Sequence, residues 1–346
     1  MLKTTNIATF FQRTSAETYP LIDVRAPKEF AKGHIPGAYN LPLFEDDERA
    51  VVGMLYKQRG REAAFLKGLE IVGPKMAYFV KEANRVASHK KLSVHCWRGG
   101  MRSLSLARLW EAAGLEVEIL EGGYRAYRRQ LHEDLATPLK LVVLSGKTGS
   151  GKTDLLKQLG EMGEQVIDLE GLAHHKGSVF GALGQAPQPT SEQFENNLHE
   201  IINKLDSRKR IWIEDESNAI GKIFIPTPFW EQMKQAVTIV IEVGLAKRIQ
   251  RLVDEYACFS YEDLASSFEK LKRRLGGDVY QRAVDAFVNG RYEEAVKLSL
   301  KYYDKAYERS LSRRAATQLY PIDLTNKDVQ TLVKQADVLF RDQVKL

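Results

Sequence analysis

The run Gly146-Lys147-Thr148-Gly149-Ser150-Gly151-Lys152-Thr153 constrains the fold of this 346-residue chain more than any other stretch. It follows the apolar segment Lys140 to Leu144 and precedes Leu155, Leu156 and Leu159, which recur at helical spacing. Glycine, four residues, then Gly-Lys-Thr between a buried strand and a helix is a phosphate-binding loop. The glycines Gly146, Gly149 and Gly151 let backbone N–H groups approach phosphate oxygens at a helix N-terminus. Lys152 reaches the outer phosphate, and Thr153 offers its hydroxyl to Mg²⁺. Further strands at Gln165 to Leu169, Arg210 to Ile213 and Thr238 to Val243 predict a parallel sheet.

A second stretch, His95-Cys96-Trp97-Arg98-Gly99-Gly100-Met101-Arg102-Ser103, joins a strand-like run from Lys91 to an amphipathic pattern through Leu104, Leu106, Leu109 and Trp110. A cysteine at such a helix N-terminus, with Arg98 and Arg102 beside it, is poised to ionise and to meet an anion. Cys96, Arg98 and Arg102 are therefore the expected catalytic residues.

Upstream, Asp23-Val24-Arg25, Glu29-Phe30 and Gly33-His34-Ile35-Pro36-Gly37-Ala38 occur in that order, and Glu121-Gly122-Gly123-Tyr124 closes the segment. These motifs resemble the rhodanese family over roughly residues 5–135 and place Cys96 where that family keeps its catalytic cysteine. The loop has five residues between Cys96 and Arg102. That is one more than in sulfur-transferring rhodaneses and equal to phosphatases of the same fold, so a tetrahedral anion suits it. Asp23 and Arg25 are expected to brace the loop. The expected architecture is α/β: a rhodanese-like domain over 1–136, then a P-loop NTPase-like parallel-sheet domain over 137–346 with a helical, basic C-terminal region. The short linker around Thr137-Pro138 suggests that the two domains are held close.

The strand at Arg210 to Ile213 ends in Glu214-Asp215-Glu216. Asp215 is the expected acidic partner that holds Mg²⁺ with Thr153, with Glu214 and Glu216 as alternates. His174 and His175 diverge as neighbours, so substrate contact or loop packing is expected of them rather than metal binding. Tyr56-Lys57-Gln58-Arg59-Gly60-Arg61 reads either as a contact for an anionic polymer or as a solvated helix end.

Charge is unevenly spread. The net charge is +6, and residues 244–314 hold 15 Lys and Arg against 11 Asp and Glu. Tyr256, Tyr261, Tyr280, Tyr292, Tyr302, Tyr303 and Tyr307 are interleaved there. Phosphate contacts with base stacking would make this an RNA surface, with Lys270, Lys272, Arg273 and Arg274 as its centre. A solvated helical face over core tyrosines accounts for the same composition. No apolar run approaches eighteen residues, which excludes a spanning helix, and no secretory leader is evident at Met1-Leu2-Lys3. Two cysteines, Cys96 and Cys258, exclude a disulfide framework and suit a reducing cytoplasm.

Taken with Asp168-Leu-Glu-Gly-Leu-Ala-His-His-Lys-Gly-Ser178, Trp212-Ile-Glu-Asp-Glu-Ser217 and Tyr302-Tyr-Asp-Lys-Ala-Tyr307, the two loops resemble the bacterial tRNA 2-selenouridine synthase family over essentially the whole chain. The resemblance implies replacement of sulfur by selenium in wobble 2-thiouridine, with tRNA as substrate. Geranyl diphosphate and selenophosphate would be co-substrates, and a selenophosphate-supplying enzyme a further partner. Geranyl diphosphate would alkylate the sulfur, and selenium would then displace the geranylthio group, carried on Cys96 as a Cys–S–Se intermediate. A sulfurtransferase or phosphatase coupled to a nucleotide kinase is the second reading. A nucleotide-gated regulatory protein is the third.

Overall fold

A computed structural model describes residues 2–12, 19–87, 89–256, 258–325 and 328–343, with the side chains of Gln12, Tyr261 and 341–343 outside the description. The chain divides into two compact units, residues 1–135 with 195–203, and residues 136–194 with 204–346.

The first unit is built on a five-stranded sheet in the order Lys3–Thr5, Glu116–Leu120, Lys91–His95, Leu21–Asp23, Tyr39–Asn40, and every pair is parallel. Parallel neighbours need crossovers, so helices cover the sheet. One face of the strands is apolar, with Leu92, Val94, Val117 and Ile119 buried against Phe79, Leu106 and Trp110, while the other buries the polar Asp23, Ser93, His95 and Glu118. The central strand Lys91–His95 ends at Cys96, at the carboxyl edge where open α/β sheets bind ligands.

Between the strand Tyr39–Asn40 and the helix Met76–Val86 lies the long helix Asp46–Val72. Asp46, Asp47 and Glu48 in its first turn complement the helix dipole, and the Glu48 carboxylate accepts the Glu45 N–H at 2.8 Å. Its axis breaks at Gly60 (φ 84°, ψ −173°). Residues 195–203 complete this unit. Asn196 donates to the Tyr124 hydroxyl and the His34 carbonyl, each at 2.8 Å, and His199 Nε2 lies 2.7 Å from Asp134 Oδ2.

The second unit holds another all-parallel sheet, in the order Leu319–Asp323, Val237–Glu242, Leu141–Gly146, Ile211–Glu214, Gln165–Ile167. The chain leaves its central strand Leu141–Gly146 first to one side and then to the other. Strand order therefore reverses at that strand, and the crevice outside its carboxyl end is the expected ligand position. The strand Leu319–Asp323 carries Pro321, which is tolerated because the strand lies at the sheet edge. Between the strands Val237–Glu242 and Leu319–Asp323 the chain forms helices Leu245–Tyr256, Tyr261–Glu269, Gly277–Val288 and Tyr292–Leu311. Phe180, Leu264, Phe268, Leu271, Ala283, Phe287 and Leu298 cluster between them as a second core. Among the described residues, no helix is long and apolar enough to cross a membrane.

Candidate active sites

The strand Lys91–His95 delivers Cys96 into a loop that the helix Met101–Ala112 closes. Cys96 is buried, yet its sulfur has polar company: Gly100 N–H donates to Sγ at 3.3 Å and the Ser103 hydroxyl lies 3.3 Å away. Burial alone pushes the thiol up. The Ser103 hydroxyl and N–H, the Arg102 charge and the Arg98 N–H outweigh it and hold the thiol below its ordinary value.

The closing motif grips this loop from behind. Tyr124 N–H donates to the Cys96 carbonyl and Arg125 N–H to the Trp97 carbonyl, both at 2.9 Å. Gly123 (φ 58°) is required there, because a Cβ would collide with the Cys96 carbonyl and the Gly99 nitrogen. Beneath lies the expected brace: buried Arg25 grips Asp23 (Nε to Oδ2 2.9 Å, Nη2 to Oδ2 2.6 Å), donates to the Gly33 carbonyl and stacks 3.8 Å over the Tyr124 ring. His95, 3.7 Å from Asp23, is pushed down by burial despite that carboxylate and stays a neutral spacer.

The two loop arginines do not point at the sulfur. Arg102 is tied to Glu29 (Nη1 to Oε2 2.6 Å) and acts on Cys96 through its charge, while the Arg98 side chain is exposed and only its backbone faces the thiol. Ser103 and Glu29 are the groups that motif reading passed over, although both stand inside the quoted strings. Ser103→Ala is expected to move the pH midpoint of Cys96 alkylation upward, since it deletes a group that lowers the thiol. The check is iodoacetamide labelling against pH in a Cys258→Ser background, and an unmoved midpoint would refute the assignment.

In the second unit the phosphate loop turns through Gly149 (φ 79°), where a Cβ would meet the Arg248 carbonyl oxygen at 2.9 Å. The helical region braces it from above: Arg248 Nε donates to the Thr148 carbonyl (2.8 Å) and Arg251 Nη1 to the Gly149 carbonyl (3.0 Å). Asp304 in turn fixes Arg248 at 2.6 Å. Lys152 Nζ donates to the Gly146 carbonyl at 3.0 Å, folded back over its own loop.

The acidic neighbours of the loop differ from expectation. Asp215 accepts from Ser145 Oγ at 2.5 Å and pairs with Arg314, so its two oxygens are engaged away from Thr153. The carboxylate at the Thr153 hydroxyl is Glu170, with Oε2 3.2 Å away. Glu216 joins it, both carboxylates flanking Gly177. Burial, helped by the Asp168 charge, pushes Glu170 up against the pull of Lys152 and its hydrogen bonds to Thr153 and Glu216. Burial and the Glu170 charge push Glu216 well up against Lys152, and burial with Asp168 raises Glu214 to about 8.

One cavity of about 650 Å³ joins these groups to an apolar wall. Its polar end is the phosphate loop with Lys152, Thr153, Glu170 and Glu216, and its far side is Phe180, Leu264, Phe268, Phe287, Val296 and Leu300. Of the hydroxyls on that side, Tyr303 accepts Val179 N–H at 3.4 Å and Ser299 donates to the Ala295 carbonyl at 3.0 Å.

The other expected residues scatter. Lys270, Lys272, Arg273 and Arg274 are exposed, with Lys272 3.2 Å from Glu269 and Arg274 over the Tyr302 ring. Tyr256, Tyr303 and Tyr307 pack inward and line the cavity; the Tyr261 side chain lies outside the described residues. His174 Nδ1 lies 2.9 Å from the Pro187 carbonyl, and His175 is buried between Gly181 and Gly221, which makes both loop-packing groups. Among the described residues no three His, Cys, Asp or Glu side chains are placed to hold a metal ion by themselves.

Family models match both units: a rhodanese-like domain over residues 8–130 and a tRNA 2-selenouridine synthase AAA domain over residues 139–337. The chain is 37% identical to the tRNA 2-selenouridine synthase of Sulfurovum sp. (strain NBC37-1), over 87% of this chain and 91% of that protein. It is 35% identical to that of Shewanella piezotolerans (strain WP3 / JCM 13877), over 91% and 95%. With the protein of the same name from Hydrogenovibrio crunogenus (strain DSM 25203 / XCL-2) it shares 34% identity, over 88% and 92%.

Proposed function

The chain belongs to the tRNA 2-selenouridine synthase family, and on that premise we propose that its two units carry out two successive steps on tRNA, geranylation and then selenation. The observation that carries this reading is the cavity with a phosphate loop at one end and an apolar wall at the other. Geranyl diphosphate has that same polarity, and a wall of Phe180, Leu264, Phe268, Phe287, Val296 and Leu300 suits a prenyl chain. Its volume falls in the range of roughly 300–1,000 Å³ usual for small-ligand sites.

In the first step the 2-thiouridine sulfur attacks C1 of the geranyl group, the C–O bond breaks, and diphosphate leaves with the electron pair. The nucleobase loses its N3 proton. Lys152, released from the Gly146 carbonyl, stabilises the departing diphosphate. The residues fit a Mg²⁺: the Thr153 hydroxyl and the Glu170 or Glu216 carboxylate would hold it, and the burial and Glu170 charge that raise Glu216 are what a cation would offset. Bound there, Mg²⁺ would neutralise diphosphate charge.

In the second step selenophosphate occupies the Cys96 loop. Electron balance decides which atom Cys96 attacks. Selenium in selenophosphate is already at the selenide level, so a Cys–S–Se bond would require an oxidant or a phosphite leaving group. Attack at phosphorus requires neither. The Cys96 thiolate forms an S–P bond, and the P–Se pair leaves as selenide. Selenide adds at C2, geranylthiolate departs with the C–S electron pair, and water cleaves the phosphocysteine to phosphate. Ser103, 3.3 Å from Sγ, is placed to stabilise the thiolate as it leaves.

Exposed basic residues Lys270, Lys272, Arg273 and Arg274 supply one surface for tRNA phosphates. A selenophosphate-producing enzyme is the expected supplier, and a reducing cytoplasm suits Cys96 and Cys258, both free thiols. Single-turnover assays test the order of steps. Thiolated anticodon stem-loop RNA with geranyl diphosphate alone is expected to give S-geranyl RNA. That product, isolated and given selenophosphate alone, is expected to give selenated RNA. Selenation of thiolated RNA without any geranyl donor would overturn the reading.

A further inference from the structure

Beside the Cys96 loop, within the first unit, a groove of about 1200 Å³ runs along the broken helix Asp46–Val72. Its walls are Met54, Phe65, Leu69 and Met101, and these side chains are 45–53% exposed. The fold leaves that apolar area unused. Small residues make the floor: Ala64 and Gly68 are buried, and a Cβ at Gly68 would stand 3.3 Å from the Phe44 ring.

One end of the groove is Met101 and Arg102, the first turn of the helix that closes the cysteine loop. It therefore opens next to Gly100, whose N–H is on the Cys96 sulfur. Basic groups dominate the lining, with Lys28, Arg49, Lys57, Arg61 and Arg102 against Glu29 and Asp46. Both acids are engaged, Glu29 by Arg102 and Asp46 by the Lys28 N–H at 2.9 Å. An apolar trough with a cationic rim matches an apolar chain attached to a polyanion.

We propose that this groove binds the S-geranyl chain of the geranylated wobble nucleoside during selenation. The inference rests on the two-step reading above and locates the substrate of its second step. With the chain along Met54, Phe65 and Leu69, the C2 atom that carries it is brought to the Cys96 end. When selenide adds at C2 and the C–S bond breaks, the groove holds the departing geranylthiolate clear of the new selenocarbonyl. The groove thereby selects a prenylated substrate over an unmodified one, independently of the cavity that bound the geranyl donor.

The test compares anticodon stem-loop RNA bearing S-geranyl- or S-methyl-2-thiouridine. Phe65→Asp and Leu69→Asp are expected to raise the KM for selenation of S-geranyl RNA about tenfold or more, from lost apolar contact. Phe65→Leu should stay near wild type. Selenation of S-methyl RNA and geranylation of thiolated RNA should be unchanged. RNA carrying a photoreactive diazirine on the prenyl chain should crosslink to residues 54–69 when selenophosphate-dependent turnover is blocked by Cys96→Ser. Equal loss for both RNAs, no loss for either, or crosslinks confined to the second unit would overturn the groove assignment alone. The same holds if the aspartate variants change only the oligomeric state, which would make this face a contact between copies. Failure of the wild type to selenate S-geranyl RNA would overturn the two-step reading and this inference with it.

Discussion

Cys96→Ser is expected to abolish selenation, by at least about a thousandfold in single turnover, while leaving geranylation of thiolated RNA intact. Serine preserves the shape of the loop and the contacts of Gly123 and Tyr124 behind it. It removes the thiol that Ser103 and the Arg102 charge hold below its ordinary value and that attacks a soft or phosphoryl centre. The phosphate-loop cavity is built wholly from residues of the second unit and loses nothing. Selenophosphate labelled in phosphorus or in selenium adds the mechanistic detail. Quenched wild-type enzyme should retain phosphorus on Cys96 and no selenium, and Ser103→Ala should accumulate more of that adduct because the departing thiolate loses its hydrogen bond. Selenium on Cys96 without phosphorus would restore the Cys–S–Se intermediate. Loss of both steps in a folded Cys96→Ser protein would show that the two sites are not separable.

Much of the site was legible because its chemistry is local in sequence. A phosphate loop is eight consecutive residues between a strand and a helix, and the cysteine loop is another such run, so Cys96, Lys152 and Thr153 could be named from spacing. What escaped depends on contacts made at long range. Asp215 sits at the end of the right strand, but Arg314, ninety-nine positions away, claims it. Glu170 replaces it at Thr153 because the residues after the strand Gln165–Ile167 turn back as a short helix, Leu169–Ala173. Pro321 disguises an edge strand as a loop. Asn196 and His199 lie within the sequence of the second domain and yet pack in the first unit, because their polar partners Tyr124, His34 and Asp134 are there. The groove beside Cys96 needed the break at Gly60 and the exposure of Phe65 and Leu69, and neither is visible in a pattern of apolar residues alone.

Lys152→Ala is expected to cut geranyl transfer by roughly a hundredfold to a thousandfold, the usual cost of losing one group that stabilises a developing anion. Selenation of RNA that is already geranylated should be unaffected. The ammonium group does two things in the resting site: it donates to the Gly146 carbonyl and pulls Glu170 and Glu216 down against their burial. Its removal pushes both carboxylates further up, so they protonate rather than face each other charged, and the fold should tolerate the change. A thermal melt close to wild type would establish that the variant is folded. Lys152→Arg separates charge from shape: it keeps the positive charge but not the compact ammonium that folds back on the loop, and partial recovery is expected. The same site should treat ATP poorly. The apolar wall of Phe180, Leu264, Phe268, Phe287, Val296 and Leu300 offers a purine edge few partners, so ATP should compete weakly with geranyl diphosphate and should not be hydrolysed in step with product. The decisive pair of measurements is geranyl transfer by Lys152→Ala and ATP hydrolysis by the wild type with thiolated RNA present. Undiminished transfer in the first, or one ATP consumed for each RNA modified in the second, would make the loop an ordinary nucleotide site.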